Sequence, residues 1–202
     1  MYFHIQLIDN PGTPEKRQET REDHWQYFDE NAEYFVARGA TLSDDGNQIL
    51  SSVLFVEFDD WHRVRKFVDN EPHNKNGVYK EVYIRRWGFG LKRLQRDFPR
   101  KDGQVNWYIR GYGKPGAHEE RMELLSAHRS YFKPYDVDRF IARGPVLSDD
   151  GEEWQGSANL ISLPSRQAVE EFLADEPFYV NNLYERVETE RYKFGGRPGQ
   201  IV

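Results

Sequence analysis

The chain has 202 residues, 38% hydrophobic, 15% aromatic and 31% charged, with a net charge of −6 and no cysteine. That composition suits compact cores and excludes disulfides, thiol nucleophiles, thiolate zinc sites and iron–sulfur clusters. An acidic balance argues against nucleic acid as a partner, because phosphate binding calls for a basic face. The longest aliphatic and aromatic run, Val53 to Val56, falls far short of the roughly 18 residues of a membrane-spanning helix. The N-terminus lacks a basic region followed by a long apolar segment, so the expected location is cytoplasmic, with no membrane partner.

In chain order, Phe3, Ile5 and Leu7 alternate with His4 and Gln6, the period-two pattern of a strand. After the turn "NPGTP" a helix is predicted from near Pro14, where proline suits a first turn, to a stop at Gly39. Trp25, Phe28, Ala32 and Phe35 recur along it at helical spacing. "TLSDDGNQ" reads as a turn, "SSVLFVEF" as a strand, and Asp60 as the cap of a short helix that buries Val64, Phe67 and Val68. "VYKEVYIRRW" closes the unit as a strand, and the basic stretch "LKRLQRDFPRK" reads as a solvated connector rather than a nucleic-acid arm.

The unit is then written again. "ARGATLSDDG" from Ala37 recurs as "ARGPVLSDDG" from Ala142, a shift of 105 with eight of ten letters kept. Val64, Phe67, Glu71, Pro72 and Tyr79 fall on Val169, Phe172, Glu176, Pro177 and Tyr184. Upstream the shift is 104, carrying Arg17, His24, Tyr27 and Phe28 onto Arg121, His128, Tyr131 and Phe132. One residue is therefore inserted in the second copy, near Pro134, where proline is expected to kink or break the first helix. The predicted domains are 1–90 and 106–202, joined by a linker at 91–105. Each copy reads strand, helix, strand, strand, helix, strand, the order of an α+β ferredoxin-like (split βαβ) unit.

Val53 to Val56 point alternately to both faces of their sheet and are all apolar, so both faces must be covered. Helices cover one. The other is expected to meet the second copy, sheet to sheet, giving an internal pseudo-dimer that forms an α+β barrel; the alternative is two independent beads. Further homodimerisation stays open.

Arg17, Arg21 and His24 stand at i, i+4 and i+7, one stripe of the first helix. The second copy keeps Arg121 and His128 and has Leu125 for the middle arginine. Tyr27 and Tyr131 add aromatic walls one turn further on. A histidine is a candidate general base, and flanking guanidiniums would lower its pKa and favour an anion. Glu71 and Glu176 each precede a proline, which restricts the backbone and aims the side chain. A carboxylate on one ring nitrogen would fix the tautomer and leave the other nitrogen basic. "GYGKPG" matches GxGxxG but lies outside any Rossmann context. The aspartates of "LSDDG" fit Asx-turns better than a cation site. No HxxxH or HExxH spacing occurs, so neither a metal nor a cofactor is expected.

The "RxxxRxxH" of Arg17, Arg21 and His24, the "ARGATLSDDG" turn, the "NEPHNKNGVYKEVYIRRW" ending and their copies resemble the YCII, or YciI-like, family of the dimeric α+β barrel superfamily. The resemblance covers nearly the whole chain, twice. It implies that the catalytic pairs are His24 with Glu71 and His128 with Glu176, glutamate replacing the family's usual aspartate, with Asp69 or Asp175 as alternative carboxylates. It also implies lyase, dehydrohalogenase or isomerase chemistry, without cofactor, on an anionic, aromatic-derived small molecule. Arg17, Arg21, Tyr27, His73, Arg121 and Tyr131 are the candidate substrate-binding residues. His73 has Phe178 as its counterpart, so the first site is the better candidate. A non-catalytic barrel that binds a small anion or another protein is the competing reading.

Overall fold

Strand β1, Tyr2–Asp9, follows its alternation: Phe3, Ile5 and Leu7 are wholly buried against helices, and period two sends His4 and Gln6 to the opposite face. The computed structural model, which describes residues 1–101 and 103–202, continues with helices α1, Pro14–Glu19, and α2, Arg21–Glu30. Strands β2, Phe35–Leu42, and β3, Ile49–Glu57, follow, then α3, Trp61–Asn70, α4, Pro72–Lys75, and strand β4, Tyr79–Trp87. The second copy repeats this as β5, Asn106–Gly113, α5, His118–Phe132, β6, Phe140–Leu147, β7, Trp154–Ser162, α6, Arg166–Ala174, α7, Pro177–Val180, and β8, Tyr184–Phe194. Asp60 and Ser165 cap α3 and α6 by accepting from the backbone N–H of Arg63 and Ala168.

All eight strands close into one antiparallel barrel in the order β1-β3-β2-β8-β5-β7-β6-β4. Each copy supplies four neighbouring strands. The seams between copies are β2 with β8, from Gly39↔Phe194 to Leu42↔Arg191, and β4 with β6, at Arg86↔Leu147 and Trp87↔Val146. Three cores result. Two lie between sheet and helices, one per copy, around Phe28, Val64 and Phe67 and around Phe132, Val169 and Phe172. The third fills the barrel with residues of both copies, among them Val53, Phe55, Tyr108, Leu160 and Tyr192. This shared core rules out independent beads.

Three readings of the sequence are corrected. The first helix stops at Glu30 rather than Gly39, and "FVARGATL" is strand β2. Gly39 is there because a Cβ would run into the Tyr192 ring and the Lys193 carbonyl across the seam, a close approach that resembles a helix stop in sequence. Pro134 does not kink α5, which runs unbroken to Phe132; the proline enters the following 3-10 turn, where its fixed φ is tolerated. The break lies instead in the first copy, at Thr20 between α1 and α2. Finally, the connector is not simply solvated: Gln95 and Phe98 are 1% and 4% exposed, and Phe98 joins the barrel core beside Trp87 and Tyr192. The Gln95 amide donates to the carbonyls of Arg38 and Val202 and accepts from the Tyr192 hydroxyl.

Candidate active site

Glu71 ends α3 and caps α4. Its backbone is extended, at φ −64° and ψ 126°, as a residue before proline should be, and both carboxylate oxygens are committed. Oε1 accepts from His73 N–H at 3.1 Å and Oε2 from Asn74 N–H at 2.8 Å. His24, from the middle of the α2 face that buries Phe28, meets the same Oε1 through Nδ1 at 2.6 Å. A carboxylate that already accepts two backbone donors is itself only an acceptor, so Nδ1 carries the proton and Nε2 is left with its lone pair. Nε2 has no protein partner among the described residues, and His24 borders a cavity of about 1220 Å³. Burial is the main cause holding the His24 pKa below 6.5; hydrogen bonding and charge from Glu71 oppose it, and Arg17 and Arg38 add to it. The imidazole is neutral at neutral pH, which is the form a base requires.

The longer glutamate thus reaches the histidine, whereas Asp69 and Asp175 are exposed and make no such bond. His73 is 1% exposed and lies parallel to His24, ring centroids 4.1 Å apart at 10°. Its Nδ1–H donates to the Thr20 hydroxyl at 2.7 Å, and that hydroxyl donates to the Lys16 carbonyl. Burial, with His24 and Arg17 nearby, takes the His73 pKa down to about 2. The helix break at Thr20 therefore has a use: it seats the second imidazole.

The arginines are placed unequally. Arg17 reaches the cavity but is held in a fork by Asp9, at 2.8 and 3.0 Å, with Nη2 on Ser52 at 2.9 Å. Asp9 is pushed up to about 6 by burial, against the pull of Arg17. Arg21 is exposed at the cavity rim, over the Trp25 ring. Tyr27 is not a cavity wall: its ring packs on Phe67 and its hydroxyl donates to the Phe67 carbonyl at 2.9 Å. Tyr131 repeats this with Phe172 at 2.8 Å. Sequence reasoning missed Asp9, Ser52 and the walls from the other copy. Lys193 to Gly196, at the end of β8 and beyond, line this cavity, and Gly195 N–H donates to the Arg38 carbonyl. Ser52 and its counterpart Ser157, each bonded to a tyrosine hydroxyl, were visible as a repeated pair.

Ligand atoms of His24, Glu71 and His73 lie within 4.8 Å of one another, a donor set that could in principle hold a metal. The geometry disfavours it. Both Nδ1 atoms and both Glu71 oxygens are already used. Parallel rings place an ion between them out of both ring planes, whereas the lone pairs lie in those planes. In the second copy Phe178 occupies the His73 place, 4.0 Å from His128 at 2°, so the slot is one for stacking.

The second site keeps the pair, with His128 Nδ1 at 2.6 Å from Glu176 Oε1, but its cavity is about 450 Å³. Gly111 and Gly113 stand where Leu7 and Asp9 stand in the first copy. A Cβ at Gly113 would lie 2.7 Å from the Trp154 ring, and one at Gly111 would meet Tyr184. The glycines of "GYGKPG" therefore admit two aromatic rings, not a nucleotide, and with them Trp154 and Phe178 fill the cleft. Among the described residues Arg121, lacking the Asp9 counterpart, has only the Met122 sulfur as a partner, and its Nε is buried and unpaired. Gly90, from the first copy, lines this cleft as Gly195 lines the other.

No curated protein matches the chain. Among solved structures it is 28% identical to 5-chloro-2-hydroxyhydroquinone dehydrochlorinase from Burkholderia phenoliruptrix AC1100, in complex with 2,5-dihydroxybenzoquinone, over 46% of this chain and 99% of that one, with a TM-score of 0.42. A mutant chlorite dismutase from Candidatus Nitrospira defluvii is 8% identical over 96% of this chain and 90% of its own, with a TM-score of 0.62. An anthrone oxidase-like protein is 13% identical over 100% and 94%, with a TM-score of 0.55. The last two share the fold, which thus occurs in enzymes acting on small molecules. Among the described residues no helix is long and apolar enough to cross a membrane. The family model of the YCII-related domain matches residues 1–88 and again 105–193, so the chain belongs to that family and carries its domain twice.

Proposed function

We propose that the first copy is the working site of a small-molecule enzyme that uses His24 and Glu71 for general acid–base chemistry on an anionic, aromatic-derived metabolite. The observation that carries this reading is the 2.6 Å contact between buried His24 Nδ1 and Glu71, which leaves Nε2 bordering a cavity of about 1220 Å³. Nε2 takes a proton from an acidic carbon or phenol, and Glu71 stabilises the imidazolium that forms. The resulting enolate or phenolate is met by Arg17 of α1 and Arg21 of α2, which both border this cavity. Return of the proton to another atom makes an isomerase. Departure of a leaving group with its electron pair makes a lyase or dehydrohalogenase. The domains act as 1–90 and 106–202, the second having closed its own cleft.

The test is a turnover screen of chlorinated hydroxyhydroquinones, hydroxylated aromatics and their ring-cleavage acids, run on wild type and His24→Asn. Turnover should be lost in the variant while the fold is kept. In wild type the rate should fall on the acid side at a pH below 6.5, because burial lowers the His24 pKa. Equal rates in both proteins would remove His24 from the chemistry. Binding without product in either would favour the non-catalytic barrel.

A further inference from the structure

In a ring of eight antiparallel strands, β1 and β5 stand four places apart, hence opposite one another and running the same way. Their inward residues pair across the barrel: His4 faces its counterpart Tyr108, with Nε2 and hydroxyl 2.9 Å apart, and Gln6 is the counterpart of Arg110. Toward one end of these strands Trp87, Tyr192 and the linker's Phe98 are buried in the barrel core. The opposite mouth of the barrel opens into the large cavity and is lined by both copies, through Gln6, Tyr83, Arg85, Arg110, Tyr112 and Glu188.

Arg110 is the unusual member. It is 6% exposed and has no carboxylate within ion-pairing distance among the described residues. Its Nη1 donates to the carbonyls of Gly111 and Ser157, and its guanidinium stands 4.3 Å from the Tyr112 ring centroid. Among the described residues Nε and Nη2 have no hydrogen-bond partner, and neither atom is fully buried. Glu188, the carboxylate whose charge acts on Arg110, is engaged by the Tyr112 hydroxyl at 2.9 Å and by Arg186 at 3.0 Å. Glu190 is held toward its protonated form by burial. His4, 2% exposed, keeps an unpartnered Nδ1. A largely buried cation with spare donors and no carboxylate in ion-pair contact favours an added anion. Symmetry sharpens the point. Two arginines at this pair would repel each other and two glutamines would not hold an anion, whereas Gln6 with Arg110 gives one fork and one neutral partner.

We propose that this mouth of the barrel, which shares the large cavity with His24, is a second ligand subsite that binds the oxyanion group of a small molecule, with Arg110 as anchor and Gln6 and His4 as neutral hydrogen-bonding partners. A carboxylate metabolite and inorganic phosphate offer the same chemistry. Calorimetric titration of the full chain with benzoate and with inorganic phosphate separates them, using wild type, Arg110→Met, Arg110→Lys and His24→Asn.

Saturable binding of one anion to wild type is expected, weakened at least about ten-fold by Arg110→Met, the loss of a charge-assisted pair, and unchanged in His24→Asn. Binding of benzoate alone assigns a carboxylate; phosphate alone assigns the inorganic ion. No saturation with either anion at millimolar concentration, or affinity lost in His24→Asn and kept in Arg110→Met, overturns the proposal. Should Arg110→Met fail to fold, Arg110→Lys decides: it keeps the charge and removes the fork, so undiminished affinity there refutes Arg110 as the anchor. No turnover enters these measurements, so the acid–base reading of His24 can fail independently.

Discussion

Replacing Glu71 by Gln tests whether the carboxylate holds the site together. Glu71 is 1% exposed and receives three donors: His24 Nδ1–H, His73 N–H and Asn74 N–H. A glutamine has one acceptor oxygen and brings two donors of its own. Whichever way the amide turns, at least one of the three donors faces an N–H. A buried unsatisfied donor is unfavourable by about 1–3 kcal/mol, and loss of a helix cap by about 1 kcal/mol. The sum is about 3 kcal/mol, and for a chain of this length each kcal/mol moves Tm by roughly 2–4 °C, so a fall of roughly 6–12 °C is expected by calorimetry. Glu176→Gln is the internal control, since Glu176 receives the same three donors at 2.6, 3.1 and 2.9 Å. Both variants should fall alike, but only Glu71→Gln should move the acid limb of turnover, to still lower pH, because Glu71 raises the His24 pKa. A Tm within a degree of wild type in both variants would refute the reasoning.

Two further outcomes follow from the packing. His73 is buried neutral with its pKa lowered, so the unfolded chain takes up a proton there that the folded chain does not. Its stabilising share is fully present above pH 6.5 and is lost as pH falls below it. His73→Phe, the residue the second copy uses, should flatten the loss of Tm on acidification while keeping the ring stack; an unchanged pH dependence would count against this assignment. At the shorter seam, Gly144 sits so close that a Cβ would collide with the Gly88 carbonyl. Gly144→Ala should lower stability by about 1–3 kcal/mol or more, since backbone on both sides cannot yield; a neutral result in urea unfolding would mean that the seam can open to admit a methyl group.

Much of this was legible in the sequence because local rules and global packing agree. The period-two pattern of Phe3, Ile5 and Leu7 gave β1, the apolar run at Val53 to Val56 announced a sheet covered on both faces, and the Glu-Pro pair aimed both carboxylates. What failed depended on residues distant in the chain. Gly39 is small because of Tyr192, Gly113 because of Trp154, and Phe98 is buried because it packs into the core shared by both copies. Tyr27 sat at the right helical spacing to face a ligand, yet its hydroxyl had a carbonyl on α3 to satisfy. Arg110 carried no local signal, since its lack of a carboxylate in contact depends on strands β7 and β8, distant from it in the chain.

Each cleft borrows part of its wall from the opposite half: Gly195 and Gly196 for His24, Gly90 for His128. In an assembly of separate chains, dilution would strip that wall away and any change to one cleft would appear in the other. A continuous polypeptide removes both constraints. Completeness of the pocket becomes independent of protein concentration, and one half is free to drift, as the ring-filled second cleft has done, while its partner retains an open chamber.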